Sequence, residues 1–234
     1  MRTQALLLAV IIAVLIGVLA LLFLNVSFFP PLGSQEGEAI DETMRLLLAI
    51  GAGIFALIVA ILAYSAVRFR RRAGDTADGP PLQSNIVLVA AFFFIPAGLI
   101  LWSATFGAVK LGQIEGSPTS SPLEVKVTGL QWAWTFEYPE FGVKASELYL
   151  PLGRPAVLRM TSRDVVHSFW VPEFRMKMDT LPGVETRLRI TPTKAGEYKA
   201  MCAELCGLGH TLMVARAKVV TEEEFQAWVK EQKR

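Results

Sequence analysis

Two stretches of this 234-residue chain, Leu46–Val67 and Ile86–Val109, run for more than twenty residues without a charged side chain, and Ala5–Leu24 is a third apolar run ahead of them. At about 1.5 Å rise per residue, each is long enough as a helix to cross a hydrocarbon core ~30 Å thick. A helix is the form to expect, because in lipid every backbone polar group must be satisfied within the segment. Pro96 falls inside the last run, where a membrane helix kinks rather than ends. Arg68, Arg70, Arg71 and Arg72 follow the second run, whereas Glu36, Glu38, Asp41 and Glu42 precede it. The bias of Lys and Arg toward the cytoplasmic side therefore places the Arg-rich loop inside and everything after the hairpin of residues 40–110 outside. Residues 1–25 read as either a transmembrane helix or a signal peptide. The run exceeds the ~7–15 residues of a signal core and no small-residue cleavage site follows it, so two or three spanning helices are expected, with the third favoured.

Beyond residue 110 the chain turns polar. Residues 111–122 read as a linker and 123–220 as an all-β domain, with Leu123-Glu124-Val125-Lys126-Val127 and Thr186-Arg187-Leu188-Arg189-Ile190 alternating like half-buried strands. About a hundred residues of short strands separated by Pro and Gly turns suit a Greek-key sandwich or barrel. Residues 221–234 read as a helix opened by the capping box Thr221-Glu222-Glu223-Glu224. The formal net charge is only +2, and no nucleic-acid partner is expected; membrane lipid is.

The chain holds two cysteines and two histidines. Cys202, Cys206 and His210 fall within nine residues, with Met213 close behind, and His167 lies upstream. Two thiolates, two imidazoles and a thioether make a soft donor set suited to copper. A disulfide between cysteines four apart, or a tetrahedral zinc, remains open on residue types alone. Zinc leaves Met213 without a use.

The spacing from His167 to Cys202-Ala203-Glu204-Leu205-Cys206-Gly207-Leu208-Gly209-His210-Thr211-Leu212-Met213 resembles the CuA signature of the cytochrome c oxidase subunit II family. Gln131-Trp132-Ala133-Trp134, Asp164-Val165-Val166-His167-Ser168-Phe169 and Lys177-Met178-Asp179-Thr180-Leu181-Pro182-Gly183 extend the resemblance. It implies a cupredoxin-like domain holding two copper ions. His167, Cys202, Cys206, His210 and Met213 would be ligands, together with the backbone carbonyl of Glu204. It further implies a magnesium or manganese ion at the Glu204 carboxylate, beside Asp179, at the junction with subunit I. Trp132 would receive electrons from cytochrome c or a similar soluble donor, while Trp134 is assigned to packing. By the same resemblance the chain is an oxidase subunit of the bacterial plasma membrane. Its copper domain is periplasmic, and haem and oxygen chemistry reside in the partner subunit, coupled to proton translocation. No Cys-x-x-Cys-His occurs, so no c-type haem is attached here.

Two departures stand out. Many relatives carry a glutamate at the start of the last membrane helix, where this chain reads Pro81-Leu82-Gln83-Ser84-Asn85-Ile86; that proton-uptake role lacks its residue. From Lys110 onward seventeen basic residues meet fifteen acidic ones, so steering a basic donor needs a local acidic patch, for which Glu137, Glu140 and Glu173 are the candidates. Nitrous oxide reductase shares the copper motif, but it is soluble and needs a further His-rich cluster. Quinol oxidases share the architecture without the ligands.

Overall fold

The computed structural model describes residues 2–26, 28–71, 74, 84–116 and 121–233, with only the backbone given for residues 2–9. Three apolar helices lead the chain: α1 (Arg2–Asn25), α2 (Glu36–Arg68) and α3 (Ile86–Glu115). The second and third are each long and apolar enough to cross a membrane. Phe55, Leu62, Phe92, Phe94 and Leu101 lie exposed on them, an arrangement that is stable only with lipid or another apolar partner as the surroundings. Helix α3 continues through Pro96. In the stretch of residues 81–86 the Asn85 Oδ1 accepts the backbone N–H of Val87 at 2.9 Å and so caps the start of α3. Residues 81–83 of that stretch, and Arg72, lie outside the described residues.

The expected boundaries shift at both ends of the hairpin. Helix α2 begins at Glu36 rather than at 40, and α3 runs to Glu115, into the stretch read as linker. One internal glycine, Gly112, costs a helix only about 1 kcal/mol, and the helix ends where Gly116 follows.

The β domain contains β1 (Leu123–Leu130), β2 (Ala133–Tyr138), β3 (Val143–Ala145), β4 (Leu148–Pro151), β5 (Ala156–Ser162), β6 (His167–Trp170), β7 (Lys177–Thr180), β8 (Thr186–Ile190), β9 (Gly196–Cys202) and β10 (Val214–Val220). They form two five-stranded sheets, ordered β3-β2-β1-β5-β8 and β4-β10-β9-β6-β7. The β1–β5 and β4–β10 pairs are parallel, which requires the chain to cross between sheets. This is the cupredoxin-like sandwich that the alternation and the resemblance imply. Strand alternation turns Val125, Val127, Phe136, Leu158, Met160, Phe169 and Ile190 inward, all at most 1% exposed. Helix α4 (Glu222–Gln232) opens on a complete capping box between Thr221 and Glu224. It docks Phe225, Trp228 and Val229 into the core, and Trp228 stacks on Tyr149 with ring centroids 4.2 Å apart.

The β domain is joined by a distant piece of chain. Phe28–Glu42 clusters with Gly112–Arg234 as one compact unit. This strap adds backbone bonds from Gly33 N–H to the Glu173 carbonyl (2.9 Å), from Gln35 N–H to the Thr191 carbonyl (2.9 Å) and from Thr193 N–H to the Gly33 carbonyl (3.0 Å). Its polar side chains are buried and matched. Ser34 Oγ donates to the Phe174 carbonyl, and the Glu36 carboxylate accepts from Thr191 N–H (2.9 Å) and Oγ1 (2.8 Å). Asp41 takes the Arg175 guanidinium bidentately, at 2.6 and 3.1 Å, while Arg175 also donates to the carbonyls of Pro30 and Pro172. Glu36 and Asp41, read from the sequence only as part of an acidic loop, are each 8% exposed. The charge bias that orients the hairpin is unaffected, because it depends on Lys and Arg far more than on acids.

Candidate metal centre

His167 opens β6 with its ring wholly buried. Its position requires a glycine on the facing sheet: a Cβ on Gly129 of β1 would stand 2.9 Å from the His167 Cδ2. The His167 Nε2 lies 2.8 Å from Asp164 Oδ1. Desolvation pushes the Asp164 carboxyl up, but hydrogen bonds from His167, from the Gln131 and Val165 amides and from Ser162 outweigh it and leave the pKa at about 2. A carboxylate only accepts, so Nε2 carries the proton and Nδ1 keeps its lone pair for a metal. That Nδ1 faces the Cys202 Sγ at 3.9 Å.

Cys202 ends β9, and the loop from Ala203 leads through a 3-10 turn, His210–Leu212, into β10. The loop brings Cys206 back so that the two Sγ atoms lie 3.7 Å apart. Both cysteines are free, and 3.7 Å is well beyond the ~2.05 Å of a disulfide. Each sulfur has its own imidazole, since His210 Nδ1 lies 3.5 Å from Cys206 Sγ. Each also has a weaker donor. The Glu204 carbonyl is 3.2 Å from Cys202 Sγ, and the Met213 Sδ is 3.8 Å from Cys206 Sγ. Burial, reinforced by the adjoining Cys202 thiol, pushes the Cys206 thiol up to about 11, so a bound cation must displace its proton.

All six expected donors therefore meet. Ligand atoms of His167, Cys202 and Cys206 lie within 4.8 Å of one another, and His210 stands outside that group, beside Cys206. A single tetrahedral ion would need all four drawn together. Two sulfurs, two imidazole nitrogens and a thioether brought together make a soft donor set that fits copper.

Trp132 is 41% exposed and donates from Nε1 to the Cys206 carbonyl at 3.3 Å. Its ring lies flat against the ligand loop: a Cβ on Gly209 would overlap it, 2.7 Å from the Trp132 Cγ. Gly209→Ala is therefore expected to push the indole off the loop. It should expose Trp132 further to a soluble fluorescence quencher, while copper content stays at the wild-type level. Quenching measured beside metal analysis would check this, and unchanged quenching would refute the contact. Trp134 is buried, edge-on to Phe169 at 5.3 Å and 6.0 Å from the His167 ring, where it acts as packing beneath the ligand.

The Glu204 carboxylate is exposed on the loop and Asp179 is exposed on β7 opposite Ser168; neither joins a three-residue cation cluster among the described residues. The expected acidic patch is not a free negative surface. Glu137 pairs with Lys144 at 2.9 Å and Glu140 with Arg154 at 3.4 Å. What surrounds the ligand loop instead is apolar: Leu205 is 78% and Leu208 100% exposed, with Leu130 and Leu212 also open. Leucines on so polar a loop were the signal available in the sequence.

Known proteins resemble this chain over nearly all of its length. The family described as cytochrome c oxidase subunit II, periplasmic domain, matches residues 143–220. A cytochrome c oxidase subunit 2 from Synechocystis sp. is 30% identical over 98% of this chain and 83% of that protein. The chain belongs to the cytochrome c oxidase subunit 2 family. A haem–copper oxidase subunit 2 from Aeropyrum pernix is 32% identical over 80% of this chain and 88% of that protein. The crystal structure of the periplasmic domain of cytochrome oxidase subunit II from Bradyrhizobium japonicum is 29% identical, with a TM-score of 0.47, covering 49% of this chain and 95% of that one. Membership makes the chain a subunit of an oxidoreductase and a membrane protein with a periplasmic domain. Copper and electron transport come with the family, and the donor set fits copper.

Proposed function

We propose that this chain receives electrons from cytochrome c, or a similar soluble donor, at a binuclear copper A centre and passes them to the haem–copper subunit I. There dioxygen is reduced to water with proton translocation. The observation that carries this reading is the pair of buried thiols 3.7 Å apart, each flanked by its own histidine. Copper held by these residues would supply a one-electron redox couple. Asp164 fixes the ring and tautomer of His167. Full burial of His167 and Met213 keeps water from the donors and limits how far they can reorient. Trp132 is the first acceptor, exposed on one side and hydrogen-bonded to the carbonyl of a ligand on the other. The exposed leucines around it make an apolar landing surface for the donor.

Both histidines of the chain belong to this cluster, which leaves haem ligation to the partner subunit. The exposed Glu204 carboxylate is the residue to complete a magnesium or manganese site there, together with oxygen donors of that partner. The copper domain of residues 123–220, carried by the hairpin of 40–110, faces the periplasm of a bacterial plasma membrane. Arg68, Arg70 and Arg71 then lie on the opposite, cytoplasmic side. Metal analysis of the full chain purified in detergent and reconstituted should give two copper ions per chain, a purple colour and a spin delocalised over both. One copper with a blue-copper spectrum, or a preference for zinc, would overturn the proposal.

A further inference from the structure

The ligands come from two places: His167 from β6, and Cys206, His210 and Met213 from the loop between β9 and β10, which pairing with β6 holds only at its start, at Cys202 and Ala203. The two-residue turn between β1 and β2, Gln131-Trp132, touches both. The backbone N–H of Gln131 donates to Asp164 Oδ2 at 2.7 Å, and the other oxygen of that carboxylate holds His167 Nε2 at 2.8 Å. The side-chain amide of the same residue donates to the Cys206 carbonyl at 2.7 Å, across 75 positions of sequence. The loop is shaped to admit it. Gly207 has φ +117°, and a Cβ there would stand 3.0 Å from the Gln131 Nε2.

From this juxtaposition we infer that Gln131 is a positioning residue of the metal centre, a two-ended brace that sets the Cys206 loop against the Asp164–His167 pair and seats Trp132 on that loop. The inference rests on the copper reading above. It differs from a docking or electron-carrying role, because Gln131 acts through hydrogen bonds that are present before any donor arrives. The Cys206 carbonyl accepts two N–H groups, one from Gln131 at 2.7 Å and one from Trp132 at 3.3 Å. Losing the shorter leaves the loop to the longer, more weakly directed bond. Cys206 then loses pre-organisation toward its partner ligands, and a metal held by several donors at once is released more readily.

The test uses the full chain in detergent, loaded with copper. Gln131→Met keeps the length of the side chain and the backbone N–H to Asp164, but it has no amide to donate; Gln131→Glu likewise lacks the donor and adds a charge that repels the carbonyl. Both are expected to release copper to a chelator about 10- to 100-fold faster than wild type, the usual effect of losing an outer-shell partner. Trp132 fluorescence in the metal-free chain should shift as the indole gains freedom. The thermal midpoint of the metal-free chain should not move. Copper release at the wild-type rate in both variants overturns the inference while leaving the copper assignment intact. Faster release accompanied by an equal loss of stability in the metal-free chain also overturns it, by reducing Gln131 to a support of the fold. If the wild-type chain takes up no copper at all, the copper assignment falls and the inference with it.

Discussion

Cys206→Ser is expected to abolish the proposed copper centre. A serine hydroxyl is a hard, poorly ionising donor that cannot replace a thiolate toward a soft ion. Cys206 is also the hub of the cluster: its sulfur faces Cys202, His210 and Met213, and its carbonyl receives Gln131 and Trp132. Copper per chain should fall to one or none, and turnover with cytochrome c by more than about 100-fold, beyond what loss of an outer-shell partner costs. Because the Cys206 proton is held up to about 11 and must leave when metal binds, wild-type copper affinity should strengthen as pH rises toward that value. In the serine variant any residual copper binding should lack the part of that dependence contributed by Cys206. Metal analysis, with competition against a chelator at several pH values, would check both statements. Wild-type copper content in Cys206→Ser would remove the cysteine from the centre.

Arg175→Ala is expected to have the largest effect on stability. The Arg175 and Asp41 side chains are 7% and 11% exposed, joined at 2.6 Å. Removing the guanidinium leaves a carboxylate buried without its counter-charge, which costs about 3–5 kcal/mol. It also strips donors from the Pro30 and Pro172 carbonyls. For a domain of this size the thermal midpoint should drop by roughly 10–20 °C. Adding Asp41→Leu should recover part of the loss, because it removes the stranded charge. Circular dichroism melts of the single and double variants would decide it. A midpoint within 2 °C of wild type, on the scale of about 0.5 kcal/mol that surface changes produce, would show the pair to be inconsequential.

The membrane helices and the sandwich were legible because hydrophobic periodicity carries them: charge-free runs of helix length, then alternation at period two. The ligands were legible because the residue types are scarce, so that His167 had to be considered with a loop thirty-five positions away. Trp134 is buried on β2 while Trp132 stands in the turn before that strand, and nothing in the sequence said that the indole of Trp132 rests on Gly209. That depends on how two loops from opposite sheets meet. The acidic patch was misread because Lys144 faces Glu137 only through the β2–β3 register. Glu36 and Asp41 were misread for a similar reason. Their partners, Thr191 and Arg175, lie more than 130 positions downstream, and a run of acids looks the same whether solvated or docked. The helical extension to Glu115 went unread because Gly112 resembles a stop signal, whereas a single glycine is only a modest penalty within a long helix.

The strap of residues 28–42 sets an order of assembly. It is made before most of α2 and all of α3, yet its partners at Glu173, Arg175 and Thr191 are among the later residues of the chain. At ordinary rates of synthesis the 155 positions between Glu36 and Thr191 correspond to roughly 8–30 s. Throughout that interval Glu36 and Asp41 face water on the outer side, and closing so long a loop is entropically costly and slow. The domain is therefore completed by its oldest segment. A chaperone or protease acting on the nascent chain would find residues 28–42 open, and would lose access to them once Arg175 has emerged and paired.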